Sequence, residues 1–150
     1  MKIQSLFFLI LIGLVLSSCN TKEKEVLKES KITYQTASNY FVKNNFSGSV
    51  ENPITSQEAF DKIFGMATTM GKDGKPTSID FSKSYVVAIV DSLTDKRVDL
   101  LPVSVEKKND TLEVKYSKNV GEVRSYSTQP NLIFILDNTT QGIIKVVQAP

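Results

Sequence analysis

The chain has 150 residues, 18 basic and 16 acidic side chains, a formal net charge of +2, no histidine and a single cysteine. So balanced a charge offers no basic stripe for nucleic acid, and the missing imidazole excludes histidine-based serine and cysteine triads and the usual zinc ligands. One cysteine cannot form an intramolecular disulfide, so a core alone must hold the fold. At the amino terminus Lys2 precedes an uncharged run over residues 6–16. That run is about half the ~20 apolar residues needed to cross a bilayer, which is the layout of a cleaved signal peptide rather than a permanent span.

The run ends in Leu16-Ser17-Ser18-Cys19, which resembles the lipobox of bacterial lipoproteins. The resemblance implies cleavage after Ser18 and acylation of Cys19, with residues 1–18 removed. Each buried methylene contributes ~0.8 kcal/mol, so two or three acyl chains make release from the bilayer negligible. Asn20 follows the cysteine where an aspartate would retain a lipoprotein at the inner membrane, so the expected location is the cell envelope, anchored in the outer membrane. Residues 19–36 carry many charges and few large apolar groups. They read as the acylated cysteine and a flexible tether, leaving residues 37–150 as one domain.

Within that domain, residues 39–42 carry two aromatic residues and a valine and suggest a first strand. Thr55-Ser56-Gln57-Glu58 fits a capping box with Thr55 as N-cap, and Phe60, Ile63, Phe64 and Ala67 follow at helical spacing. Gly71, Gly74 and Pro76 end that pattern. Residues 85–90, Tyr-Val-Val-Ala-Ile-Val, form an apolar run of strand length and are expected at the centre of a sheet, covered on both faces.

Residues 102–116 predict a hairpin turning near Asn109-Asp110, with Val103 opposite Tyr116, Val105 opposite Val114 and Glu106 opposite Glu113. The facing glutamates are unfavourable. Residues 132–136 and 143–147 predict a second hairpin through the polar turn 137–142. The expected fold is therefore α+β: a mostly antiparallel sheet of five to six strands with one helix packed on one face.

No motif carries catalysis. The segment from Gly65 to Asp73 has the wrong glycine spacing for a phosphate loop, carries Asp73 where a Ser or Thr belongs, and follows a helical pattern instead of a strand. Asp91, Asp95 and Asp99 are interrupted by Lys96 and Arg97, so no metal site is expected there, and no cofactor is implied. Asp91-Ser92-Leu93 and Asp110-Thr111-Leu112 resemble the short O-glycosylation signal of Bacteroidetes, with Ser92 and Thr111 as acceptors.

From Ile54 onward the order of features resembles the C-terminal domain of PrcB-like lipoproteins, accessory subunits of a secreted protease complex. The resemblance lies in Ser56-Gln57-Glu58-Ala59-Phe60 opening a helix, the Ile79-Asp80-Phe81-Ser82-Lys83 approach to the apolar strand, Leu112-Glu113-Val114, and Thr128-Gln129-Pro130 before Leu132-Ile133-Phe134-Ile135. Where that family often carries a glycine pair and an aromatic, this chain has Asp95-Lys96-Arg97-Val98. The resemblance implies an accessory or binding role and transfers no catalytic residue. Loops at one end of the sheet, with Arg97, Arg124 and Tyr126, are the expected contact surface for an envelope protein. The alternatives are a structural lipoprotein carrying a small apolar ligand between helix and sheet, and an enzyme using paired carboxylates on glycans.

Overall fold

The computed structural model describes residues 29–68, 70–71 and 74–150. The signal peptide, Ser18, Cys19 and the first part of the tether lie outside the described residues. Among the described residues, nine strands and one short helix follow in the order β1 (Glu29–Lys31), β2 (Gln35–Ala37), β3 (Tyr40–Val42), α1 (Gln57–Ile63), β4 (Phe64–Met66), β5 (Ser84–Val90), β6 (Thr94–Lys108), β7 (Thr111–Thr128), β8 (Asn131–Asp137) and β9 (Ile143–Gln148). The fold is sheet-rich and mostly antiparallel, with more strands than the five or six expected.

Three layers result. The middle one is a three-stranded sheet ordered β2-β8-β5, and strict alternation sends its side chains to two different cores. Val86, Ala88, Ile133 and Ile135 point toward Phe60, Ile63 and Phe64 of the layer built from α1, β3 and β4. Tyr85, Val87, Ile89, Leu132, Phe134 and Leu136 point the other way, toward Val105 and Val114 of the outer sheet, ordered β1-β6-β7-β9. Continuous apolar sequence in β5 and β8 is the consequence of being covered on both faces.

The position of β5 differs from expectation. It is covered on both faces but lies at the edge of its sheet, with β8 in the centre. Its outer edge is nevertheless partly closed. Ile54 and Val86 exchange backbone bonds at 2.8 and 2.9 Å, and the Asn52 amide donates to Ala88 O at 2.9 Å and accepts from Ala88 N–H at 2.8 Å. Alternate groups along 52–54 thus do the work of a neighbouring strand over the middle of this edge, at Val86 and Ala88.

The helix starts one residue later and ends sooner than its pattern predicts. Ser56 is the N-cap, its Oγ accepting from Ala59 N–H at 3.2 Å. With Ala59 at the third helical position no reciprocal capping box can form. Phe60 and Ile63 face the core, but the chain leaves the helix at Phe64 in extended conformation, so the apolar stripe continues into β4. Gly65 explains the exit, being unfavourable in a helix and lying directly beneath the Phe41 ring of β3.

The β6–β7 pair is far longer than the hairpin read from residues 102–116. Val105 faces Val114 and Glu106 faces Glu113 as expected, but Pro102, not Val103, opposes Tyr116, because Val103 is the extra residue of a bulge. The facing glutamates are neutralised by the lysines two positions on. Lys115 Nζ lies 2.6 Å from Glu106 and 3.5 Å from Glu113, and Lys108 Nζ lies 3.1 Å from Glu113 and 3.0 Å from Glu29 of β1.

The expected second hairpin does not exist. β8 pairs with β2 and β5, and β9 crosses to the outer sheet to run parallel to β7. Gly142 makes the crossing possible, since a β-carbon there would stand 2.8 Å from Asp110 O. Tyr85 OH secures the connection by donating to Thr140 O at 2.7 Å. The domain boundary also moves. Residues 29–36, read as tether, contribute β1, most of β2, and the Ile32 and Tyr34 side chains packed on the second core.

Candidate partner-binding surface

One end of the molecule is built from the short 91–93 connection between β5 and β6 and the last residues of β7. Between the pairs Lys96↔Val123 and Thr94↔Thr128, β6 spends one residue and β7 spends four. Arg124, Ser125, Tyr126 and Ser127 are therefore pushed out of register. A smaller irregularity between Lys96↔Val123 and Val98↔Val120 sets Arg97 alone against Gly121 and Glu122. Arg97 Cβ would lie 3.5 Å from a β-carbon at Gly121, so its stem lies along that stretch of β7.

These distortions leave apolar side chains in water. Leu93 is 69% exposed, Val123 65%, Tyr126 57% and Val120 56%. Arg124 and Tyr126, two residues apart, form a unit: the guanidinium carbon lies 5.6 Å from the ring centroid and Nη1 donates to the phenol oxygen at 3.3 Å. Such a pair is worth ~0.5–1 kcal/mol at an exposed site and reduces the freedom both side chains would lose on binding. Arg97 instead pairs with Asp99, Nε to Oδ2 at 3.0 Å.

The structure thus brings Arg124 and Tyr126 together and places Arg97 on the facing strand. All three lie on strands rather than the loops expected. Leu93, Val120 and Val123 were missed, and the available signal was isolated apolar residues in an otherwise charged stretch beside Gly121. Ser92 is exposed in the 91–93 connection, whereas Thr111 is half-buried and opens β7 opposite Lys108 and Ile143.

The carboxylates near the sequence-predicted sites are held by neighbours. Partial burial disfavours the charged form of Asp91, but bonds from Lys118 Nζ at 2.5 Å and from Ser92 N–H outweigh it, and its pKa is lowered. Since Asp99 is held by Arg97, the aspartates spaced along 91–99 do not converge, and no metal-ligand cluster occurs among the described residues. A groove of about 410 Å³ does carry two carboxylates, Asp80 and Asp137, beside Lys83. Hydrogen bonds from Ser82 to Asp80 and from Thr139 to Asp137 lower both pKa values.

The helix–sheet interface is filled by rings. Phe60 lies 4.8 Å from Phe64, 5.9 Å from Phe81 and 5.0 Å from Tyr40, centroid to centroid. No helix among the described residues is long and apolar enough to cross a membrane. No family model matches the chain, and comparison with curated proteins and with solved structures likewise gives no match. The likeness to PrcB-like lipoproteins accordingly rests on the residues quoted for it.

Proposed function

We propose that the chain is a lipid-anchored envelope lipoprotein that holds or steadies another exported protein, an accessory rather than a catalytic role. The observation that carries this reading is the exposed end of the β6–β7 ribbon, where Leu93, Val120 and Val123 are exposed on the same stretch of chain as a preset Arg124–Tyr126 pair. Tyrosine and arginine over an apolar patch are the residue types that dominate protein–protein binding energy. The PrcB-like order of features makes an exported protease a reasonable partner. Acylation of Cys19 would concentrate both proteins at one membrane.

Two observations favour this reading over its alternatives. The aromatic packing under α1 takes up the space a small apolar ligand would need, and the hydrogen bonds from Ser82 to Asp80 and from Thr139 to Asp137 favour the charged carboxylates over a protonated acid.

Photocrosslinking of the anchored protein in its own envelope, followed by affinity capture, tests the proposal. The expected result is one dominant partner, with capture reduced about 30-fold or more by combined Arg97→Ala, Arg124→Ala and Tyr126→Ala, the equivalent of ~2 kcal/mol. Undiminished capture by the triple variant would remove this surface from the account. Intact mass should equal the polypeptide from Cys19 plus its acyl chains. Any further mass belongs on Ser92, the more accessible of the two glycan acceptors, and should vanish in Ser92→Ala.

A further inference from the structure

Beside Leu93, between β3 and the end of β7, an open groove of about 560 Å³ is lined, among the described residues, by no carboxylate, ammonium or guanidinium. Three aromatic rings, Tyr40, Phe41 and Phe46, and three side-chain amides, Asn44, Gln129 and Asn131, make up most of its wall. Volumes of this size are typical of small-ligand sites. The mixture of flat apolar surface and neutral hydrogen-bonding groups narrows what could fit.

Phe41 is fixed as a platform. It faces Gly65 across the β3–β4 pair, and a β-carbon on Gly65 would stand 2.5 Å from the ring's Cζ. The ring tip therefore rests on bare backbone while the side chain remains 46% exposed. Tyr40 and Phe46 pack on the core beneath, and the Tyr40 hydroxyl donates to Thr77 O at 2.7 Å. The amides are freer. Asn131 donates to Tyr40 O at 3.4 Å, whereas Asn44 and Gln129 have no side-chain partner among the described residues, although Gln129 is only half exposed.

Four ligand chemistries can be compared. A charged group would be desolvated against walls that hold no countercharge. An acyl chain would leave the amides unpaired. An extended peptide adding to β3 needs that strand's backbone, and Tyr40 O is already taken by Asn131. A neutral sugar has an apolar C–H face to lay on a ring and hydroxyls that both donate and accept, as side-chain amides do.

We propose that this groove binds a neutral oligosaccharide, with Phe41 as the stacking platform and Gln129 and Asn44 as readers of its hydroxyls. The groove adjoins the Arg124–Tyr126 surface through Leu93 and Ser127 but depends neither on that surface's partner nor on acylation.

The test is calorimetric and saturation-transfer titration of the full-length mature protein, held in a detergent without a sugar headgroup. The titrants are chitotetraose, cellotetraose, maltotetraose and mannotetraose, with tetragalacturonate and tetraglycine as charged and peptide counterparts. At least one neutral tetrasaccharide should bind saturably and more tightly than both counterparts. Phe41→Ala and Gln129→Leu should each weaken it about tenfold or more, the equivalent of ~1.4 kcal/mol. Phe41→Trp and Arg97→Ala should retain it. Gln129→Leu breaks no bond of the fold, so its effect stands even if Phe41→Ala unfolds. Absence of binding to all four saccharides, preference for a counterpart, or indifference to Gln129→Leu would each overturn the proposal.

Discussion

Glu106 and Glu113 face one another across β6 and β7, a pairing that would repel if nothing intervened. Lys115, followed by Ser104, holds the Glu106 carboxyl far below its ordinary range, at about 2 against 4.5. A folded-state pKa below the unfolded one contributes stability that is complete above pH 4.5 and disappears as pH falls toward 2. Glu106→Gln should therefore be less stable than the wild type at pH 6 and converge with it between pH 4.5 and about 2, read from urea midpoints across that range. A constant difference at all pH values would show that the Lys115 bond contributes nothing. The glutamate pairing was legible in the sequence because register follows from alternation. Its neutralisation by lysines two positions on in each strand required knowing that both strands keep that register.

Capping gives a second residue-scale prediction. Thr55 and Ser56 are adjacent candidates with equal chemistry, and the reciprocal glutamate pattern favours Thr55, yet Ser56 supplies the bond to Ala59. Ser56→Ala should cost ~1 kcal/mol, within the 0.5–2 kcal/mol range for lost caps, and Thr55→Ala a few tenths at most. Chemical denaturation of the two variants reads this directly.

At the scale of elements, β5, β8 and the Val105–Val114 register were legible because burial on one or two faces imposes a period of two. What escaped was pairing that depends on partners distant in sequence. β1 and β2 are polar and three residues each, so nothing in them offsets their own ordering entropy. They are held by neighbours instead: Glu29 by Lys108 at 3.0 Å, β2 by the ladder of β8, and Tyr34 by the Phe134 ring at 5.1 Å. The β6–β7 extension was missed for a similar reason, since its charged, two-sided exposure carries no apolar period. β9 was assigned to β8 because a six-residue polar connection looks like a hairpin turn. It lies at the edge of the outer sheet, with Ile143 largely exposed and Lys145 blunting that edge. A chain truncated to begin at Ser38 should lose ~4 kcal/mol or more through removal of Ile32 and Tyr34 from the second core. One beginning at Glu29 should keep the full protein's thermal midpoint. Equal midpoints for the two would return residues 29–36 to the tether.

For the whole molecule, the direction in which the proposed anchor enters is decisive. β1 begins at Glu29, opposite Lys108 and next to the Asn109-Asp110 turn, and the exposed Val120–Tyr126 surface lies at the other end of the same ribbon. At ~3.3 Å per strand residue the two ends are separated by roughly 40 Å along β6. Nine tether residues between Cys19 and β1 could span at most ~30 Å if fully extended. An acylated chain would thus hold the turn end near the bilayer and project the Arg124–Tyr126 end into the surrounding space, where a large partner meets no steric conflict with the membrane. Acylation of Cys19 as proposed would leave no free thiol, so that a single introduced cysteine could be labelled selectively. In vesicles with a headgroup-linked acceptor, a donor at Asn109→Cys should transfer energy more efficiently than one at Val123→Cys. The reverse order would mean that the ribbon lies with its candidate binding end against the lipid, and the exposed apolar cluster would then be better explained as a membrane contact than as a surface for another protein.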